Sequence, residues 1–199
     1  SPVVSYSGWG SMLPTVTGDA TLVFGGATGP AGDGGGAVSF TPNTGMATLQ
    51  ASSPVLAVGS YDGPGWGITA AFATTVGGML ARLYSRMGKP FGGSASAPAY
   101  ISVSIESYLS VMGIMVRAYY ANDATSDNWS FFPRTVTDGA THVIAVGAGS
   151  LSALSVTIDG VALTSSASSG TAFAWYMYVN QTLTLGGGSA TRFGTTTAY

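Results

Sequence analysis

The sequence predicts an all-β protein, an antiparallel β-sandwich with at most one short helix. Three observations predict it. About a dozen short segments read as strands, and the clearest of them, such as Tyr100 to Tyr108, alternate apolar and polar residues with period two, the repeat of a strand with one buried face. Turn residues separate these segments at close spacing, in a chain with 30 glycines and 9 prolines. The third observation is the stretch Thr141 to Leu163. His142-Val143-Ile144-Ala145-Val146 is apolar and β-branched, and Leu154, Val156 and Ile158 alternate with Ser155 and Thr157. Asp159-Gly160 then separates them from Val161-Ala162-Leu163. Such a pair signals a hairpin, because a type I′ turn needs φ > 0 at both central residues.

Taken in order, Val3-Val4-Ser5-Tyr6 and Ala20 to Phe24 are candidate strands, and the glycine-rich stretch Gly25 to Gly36 is a surface loop. That loop lacks the Lys-Ser/Thr and the following helix of a phosphate-binding turn. Ala37 to Phe40 and Met46 to Leu49 read as two strands joined by a turn, and Val55 to Val58 as another short run. Trp66 to Thr75 and Met79 to Met87 follow as longer strands. Met79, Leu80, Leu83 and Met87 also fit a helical stripe, but Gly77-Gly78 and Gly88 bracket the segment closely, which favours strand. Gly88 to Pro98 reads as loop. Tyr100 to Tyr108 alternates with Ile101, Val103 and Ile105 on one face, and Leu109 to Tyr120 reads as a central strand bent at Gly113. After the polar loop Ala121 to Asn128, Trp129 to Phe132 is a short strand ended by Pro133. Beyond Leu163, Thr164 to Gly170 is a serine-rich loop, Thr171 to Val179 and Thr182 to Leu185 are strands, and Thr191 to Tyr199 is a β-prone tail. This is the pattern of a sandwich or jelly roll.

Composition narrows function. Only 7% of the 199 residues are charged, against about 25% in ordinary soluble domains. Ser, Thr and Gly carry the polarity instead, and such a surface has little self-repulsion. The six basic residues are scattered, which argues against a nucleic-acid surface. No apolar run approaches the ~20 residues of a membrane helix, so membrane insertion is not expected. There is no cysteine, so a disulfide scaffold and a thiolate zinc site are excluded. The opening residues form no signal core, and Ser1 at the start suits either removal of an initiator Met or a mature secreted chain already cleaved; the first means synthesis without secretion. Synthesis without secretion, joined to an extracellular-looking composition, suits a virus.

The order of several pieces resembles the concanavalin A-like, laminin-G-like jelly roll found in phage structural proteins. The pieces are Gly36-Ala37-Val38-Ser39-Phe40, Gly67-Ile68-Thr69-Ala70-Ala71-Phe72, His142-Val143-Ile144-Ala145-Val146, Val156-Thr157-Ile158-Asp159-Gly160 and Leu183-Thr184-Leu185-Gly186-Gly187. The resemblance implies one sandwich domain over residues 1–199. Residues 1–35 hold N-terminal strands and the glycine-rich loop, 36–190 a laminin-G-like core, and 191–199 a tail. The family's usual closing segment is not matched, which leaves its final strand missing, replaced by the N-terminal strands or supplied by a neighbouring copy. The acidic and Asn cluster that binds calcium in many members is absent too.

Few residues could carry chemistry. A Ser-His-Asp triad would need His142, and no Gly-x-Ser-x-Gly elbow accompanies it. A glycosidase needs a second carboxyl facing Glu106, the one Glu, which reads as an exposed strand residue. No enzymatic activity and no cofactor are expected. Asp123, Asp127 and Asn128 are the best oxygen ligands for a hard cation, in what otherwise reads as a plain polar loop. Trp129, Tyr119, Tyr120 and Trp66 are the candidates for stacking on a sugar, and Trp9 also lies near a turn. Their alternative place is the core or a subunit interface, where aromatics are enriched.

The expectation is therefore a structural protein on the exterior of a virus particle, a capsid decoration or tail-associated subunit. Its partners would be copies of itself and other virion proteins. A carbohydrate-binding adhesion module on a surface glycan, and a subunit of a secreted extracellular filament, are the alternatives.

Overall fold

The computed structural model describes residues 3–5, 15–17, 21–23, 37–39, 46–51, 66–90, 97–120, 128–148, 154–170, 175–177, 181–186, 189–192 and 195–198. Among them every regular element is a strand and none is a helix. In chain order these are β1 (Val3–Ser5), β2 (Thr15–Thr17), β3 (Thr21–Val23), β4 (Ala37–Ser39), β5 (Met46–Ala51) and β6 (Trp66–Ala73). Then come β7 (Gly78–Pro90), β8 (Ala97–Tyr108), β9 (Val111–Tyr120), β10 (Asn128–Pro133), β11 (Thr141–Ala148) and β12 (Ser155–Ile158). The rest are β13 (Val161–Ala162), β14 (Ala167–Ser169), β15 (Trp175–Met177), β16 (Gln181–Gly186), β17 (Ser189–Arg192) and β18 (Thr195–Ala198).

Two antiparallel sheets pack together as a β-sandwich. The first runs β13-β12-β11-β6-β1-β4-β3. The second runs β14-β10-β9-β8-β7-β16-β5-β2, with β15 also pairing β7. β17 and β18 pair only with each other among the described residues. The chain changes sheet from β6 to β7, from β10 to β11 and from β13 to β14, so consecutive strands face each other across the core. β4 and β5, which read as neighbours joined by a turn, also lie in different sheets: β4 pairs β1 and β3, and β5 pairs β16 and β2.

The core lies between the sheets. Phe72, Ile144, Val146, Val156 and Ile158 come from the first, and Ile101, Val103, Ile105, Ile114, Val116 and Phe132 from the second. Register puts them there. Ile144 opposes Ile158 and Val146 opposes Val156, while Ile105 opposes Ile114 and Val103 opposes Val116. Each such side chain contributes roughly 1.5–3 kcal/mol on full burial.

The second sheet is also buried on its other face along β7 to β10. Met79, Ser104, Met115 and Phe131 there are nearly inaccessible. This explains why Leu109 to Tyr120 is apolar almost throughout. Gly113 sits under Phe131: a Cβ there would lie 2.6 Å from Phe131 Cζ and would also meet the carbonyl oxygen of Phe132. Its role is close approach, and β9 runs through it with unbroken register against β8.

Two hairpins share one turn geometry. Asp159 and Gly160 take φ of 52° and 78° between the paired residues Ile158 and Val161. Leu109 and Ser110 take φ of 49° and 67° between Tyr108 and Val111. Leu109 therefore belongs to a turn and does not start the strand. Left-handed backbone costs an ordinary L-residue roughly 1–2 kcal/mol, and Gly nothing comparable. Two further readings change. β14 lies within the serine-rich stretch, and β7 and β8 extend to Pro90 and Ala97, into the segment read as loop.

Candidate functional site

The second face of β8 and β9 gathers the polar side chains. Alternation sends Ile101, Val103 and Ile105 to the core, so Tyr100, Ser102, Ser104, Glu106 and Tyr108 share the opposite face. Register adds Arg82 beside Ser102 from β7, and Arg117 and Met115 from β9. Arg117 opposes Ser102, so its guanidinium reaches along the sheet to Glu106, where Nη2 donates to Oε2 at 2.9 Å. Ser104 donates to the other oxygen of Glu106. Glu106 is thus a half-buried, paired carboxylate and not the exposed residue that alternation alone implied. Arg82 lies 5.7 Å from the centre of the Tyr100 ring, within cation–π range. At the β10 side, Tyr108 packs against Trp129 and Phe131, with ring centres 5.3 and 5.4 Å apart.

A second cluster ties the β10–β11 connection to the β12–β13 turn. His142, at the start of β11, donates from Nδ1 to Asp159 Oδ2 at 2.8 Å and from Nε2 to Asp138 Oδ1 at 3.0 Å. Ionised carboxylates only accept, so the arrangement favours the doubly protonated, charged imidazole. The remaining bonds fix the carboxylates. Ala140 N donates to Asp138 Oδ1, and Val143 N to Asp159 Oδ1, both at 2.8 Å. Burial works against the charge on His142. The hydrogen bonds to Asp159 and then Asp138, with their negative charges, outweigh it and hold the imidazole pKa above its ordinary value. The carboxyl pKa values go down. For Asp138 the cause is first the Ala140 N–H and then His142, and for Asp159 first His142 and then the Val143 N–H. With both nitrogens engaged, His142 has no lone pair to offer a serine or a water in this arrangement. The two nitrogens also face different carboxylates, so the three groups do not converge on one ion. No cluster of three or more His, Asp or Glu suited to a metal occurs among the described residues.

The structure places the sequence candidates apart. Trp129 is half-buried on β10, opposite Arg117 and Ser169. Tyr119 opposes Tyr100 in the β8–β9 register, and Tyr120 opposes Ala99. Trp66 is in the other sheet, opposite Ala148. Asn128 is buried at the start of β10, beside Gly170, while Asp123, Asp127 and Trp9 lie outside the described residues.

Two features escaped sequence reasoning. One is the Leu109-Ser110 turn, in which a single Ser is a weak turn signal. The other is the outer face of the first sheet. Thr69, Ala71 and Ala73 of β6, Val143, Ala145 and Gly147 of β11, and Ser155 and Thr157 of β12 share that face by register. Every described residue on this face of β6, β11 and β12 is small or uncharged. No protein-family model matches the chain, and no curated protein matches it significantly.

Proposed function

We propose that the protein is a non-enzymatic structural subunit on the exterior of a virus particle, a capsid decoration or tail-associated protein. The uncharged outer face of the first sheet carries this reading. Covering that face with a neighbour removes no charge from water, which is the main penalty against burying a polar surface. The ion pairs described above agree with it, because Arg117 neutralises Glu106 within the fold and His142 offsets part of the charge of Asp138 and Asp159. The low overall charge removes long-range repulsion between copies. The test is electron microscopy and light scattering of the purified chain over a range of concentrations, with a binding assay on virions. Ordered assemblies or virion binding are expected. A monomer at every concentration that never binds a virion overturns the reading.

One observation favours carbohydrate binding as the second reading. Trp129 and Tyr108, both half-buried, pack side by side on the face that also carries the half-buried Glu106, ring faces beside a hydrogen-bonding group as a sugar needs. Trp129→Ala should then abolish binding on a glycan array while the circular dichroism spectrum is kept. Wild-type protein that binds no glycan removes this reading.

A further inference from the structure

Antiparallel alternation brings the connections β6–β7, β8–β9, β10–β11 and β12–β13 to the same end of the sandwich. Hydrogen bonds join them. Gly139 N donates to Thr74 O at 3.0 Å, Arg134 N to Met112 O at 3.2 Å, and His142 reaches both Asp138 and Asp159. This end is unusually apolar. Five large hydrophobic residues are exposed among the described residues, and four stand here: Val76 at 39%, Leu109 at 81%, Val111 at 49% and Val161 at 56%.

The β8–β9 turn is the telling one. The same hairpin is built from Asp-Gly at β12–β13, so the fold has no need of Leu and Ser in left-handed backbone. Leu109 is strained and also gains no burial within its own chain. A strained residue at a tip points to a role outside the chain. Among the described residues the charged groups at this end balance when His142 is protonated: Asp138 and Asp159 give −2, and Arg134 and His142 give +2. An anionic membrane attracts a cluster of Lys and Arg, and a strongly charged partner needs a complementary field. This tip offers neither.

We propose that this apolar tip docks onto a second copy of the chain, with Leu109 as the inserted knob. The inference rests on the assembly reading above and names its contact. The chain itself supplies the matching surface, which is the uncharged outer face of the first sheet. Its residues Ala71, Ala145 and Gly147 are small, and the exposed Val143 adds apolar area. A tip against a sheet face is a heterologous contact, so it repeats from copy to copy into a ring or a filament.

The test is sedimentation velocity and thermal unfolding of the full chain carrying L109N with S110G. Asn-Gly suits the turn, so the melting temperature should rise while self-association weakens at least tenfold. Val143→Lys on the receiving face should weaken association similarly, with an unchanged circular dichroism spectrum. If the wild type assembles and both variants assemble like it, the contact is overturned and the assembly reading stands. A wild type that stays monomeric overturns the contact, and virion binding then decides the assembly reading separately. A monomer that cosediments with phosphatidylcholine vesicles through Leu109 overturns it in favour of a lipid surface.

Discussion

His142 and Asp159 hold the β11–β12 pairing closed at its end. The imidazole donates to one carboxylate oxygen at 2.8 Å, and the N–H of Val143 donates to the other at the same distance. The pH dependence follows from the directions of the shifts. The His142 contribution is complete below the ordinary imidazole value and is lost as pH rises through its raised pKa. The contributions of Asp138 and Asp159 are present above the ordinary carboxyl value and are lost as pH falls through their lowered pKa values. The clamp is therefore strongest between about pH 4 and 6.5. Urea unfolding across the pH range should show His142→Gln less stable by about 1–2 kcal/mol inside that window, with a flatter profile on both sides. A variant profile parallel to wild type refutes the clamp.

The Arg117–Glu106 pair gives a second test. Glu106→Gln leaves the buried guanidinium without its carboxylate, and loss of one partner of a buried pair costs about 3–5 kcal/mol. Denaturant unfolding should show a loss of that order, with the slope unchanged. Adding Arg117→Met should recover much of it, because the charge left uncompensated is then gone. No recovery in the double variant counts against burial of the pair as the cause.

Gly113→Ala should destabilise by about 1–3 kcal/mol through overpacking, since Phe131 and the β10 backbone must both move. Phe131→Leu in the same chain should relieve part of that loss, and strict additivity of the two changes would argue against the contact.

Sequence pattern revealed the elements wherever one face alone decided the residues. Asp159-Gly160 was legible because it consists of the residue types that a positive-φ hairpin favours, and Trp66 to Ala73 because it runs without a break. Leu109-Ser110 was not legible, because Leu is not a turn residue, a single Ser is a weak turn signal and the apolar run continues beyond them. Glu106 was misread because period-two alternation identifies the core face but does not say whether the other face is covered. The Asp138–His142–Asp159 cluster depends on strand register between residues 17 apart in sequence, and spacing alone does not supply that. β14 has two serines in three residues, so only its pairing with β10 marks it as a strand.

The two hairpins, alike in geometry, differ in how readily they close. Asp159-Gly160 already favours its turn in the unfolded chain, whereas Leu109-Ser110 must be driven into it by the strands on either side. In a φ-value analysis, Ile158→Val and Val156→Ala should give values of about 0.5 or more, and Ile105→Val and Ile114→Val clearly lower ones. The strained turn then forms late, and its apolar tip takes its final shape only once β8 and β9 have paired.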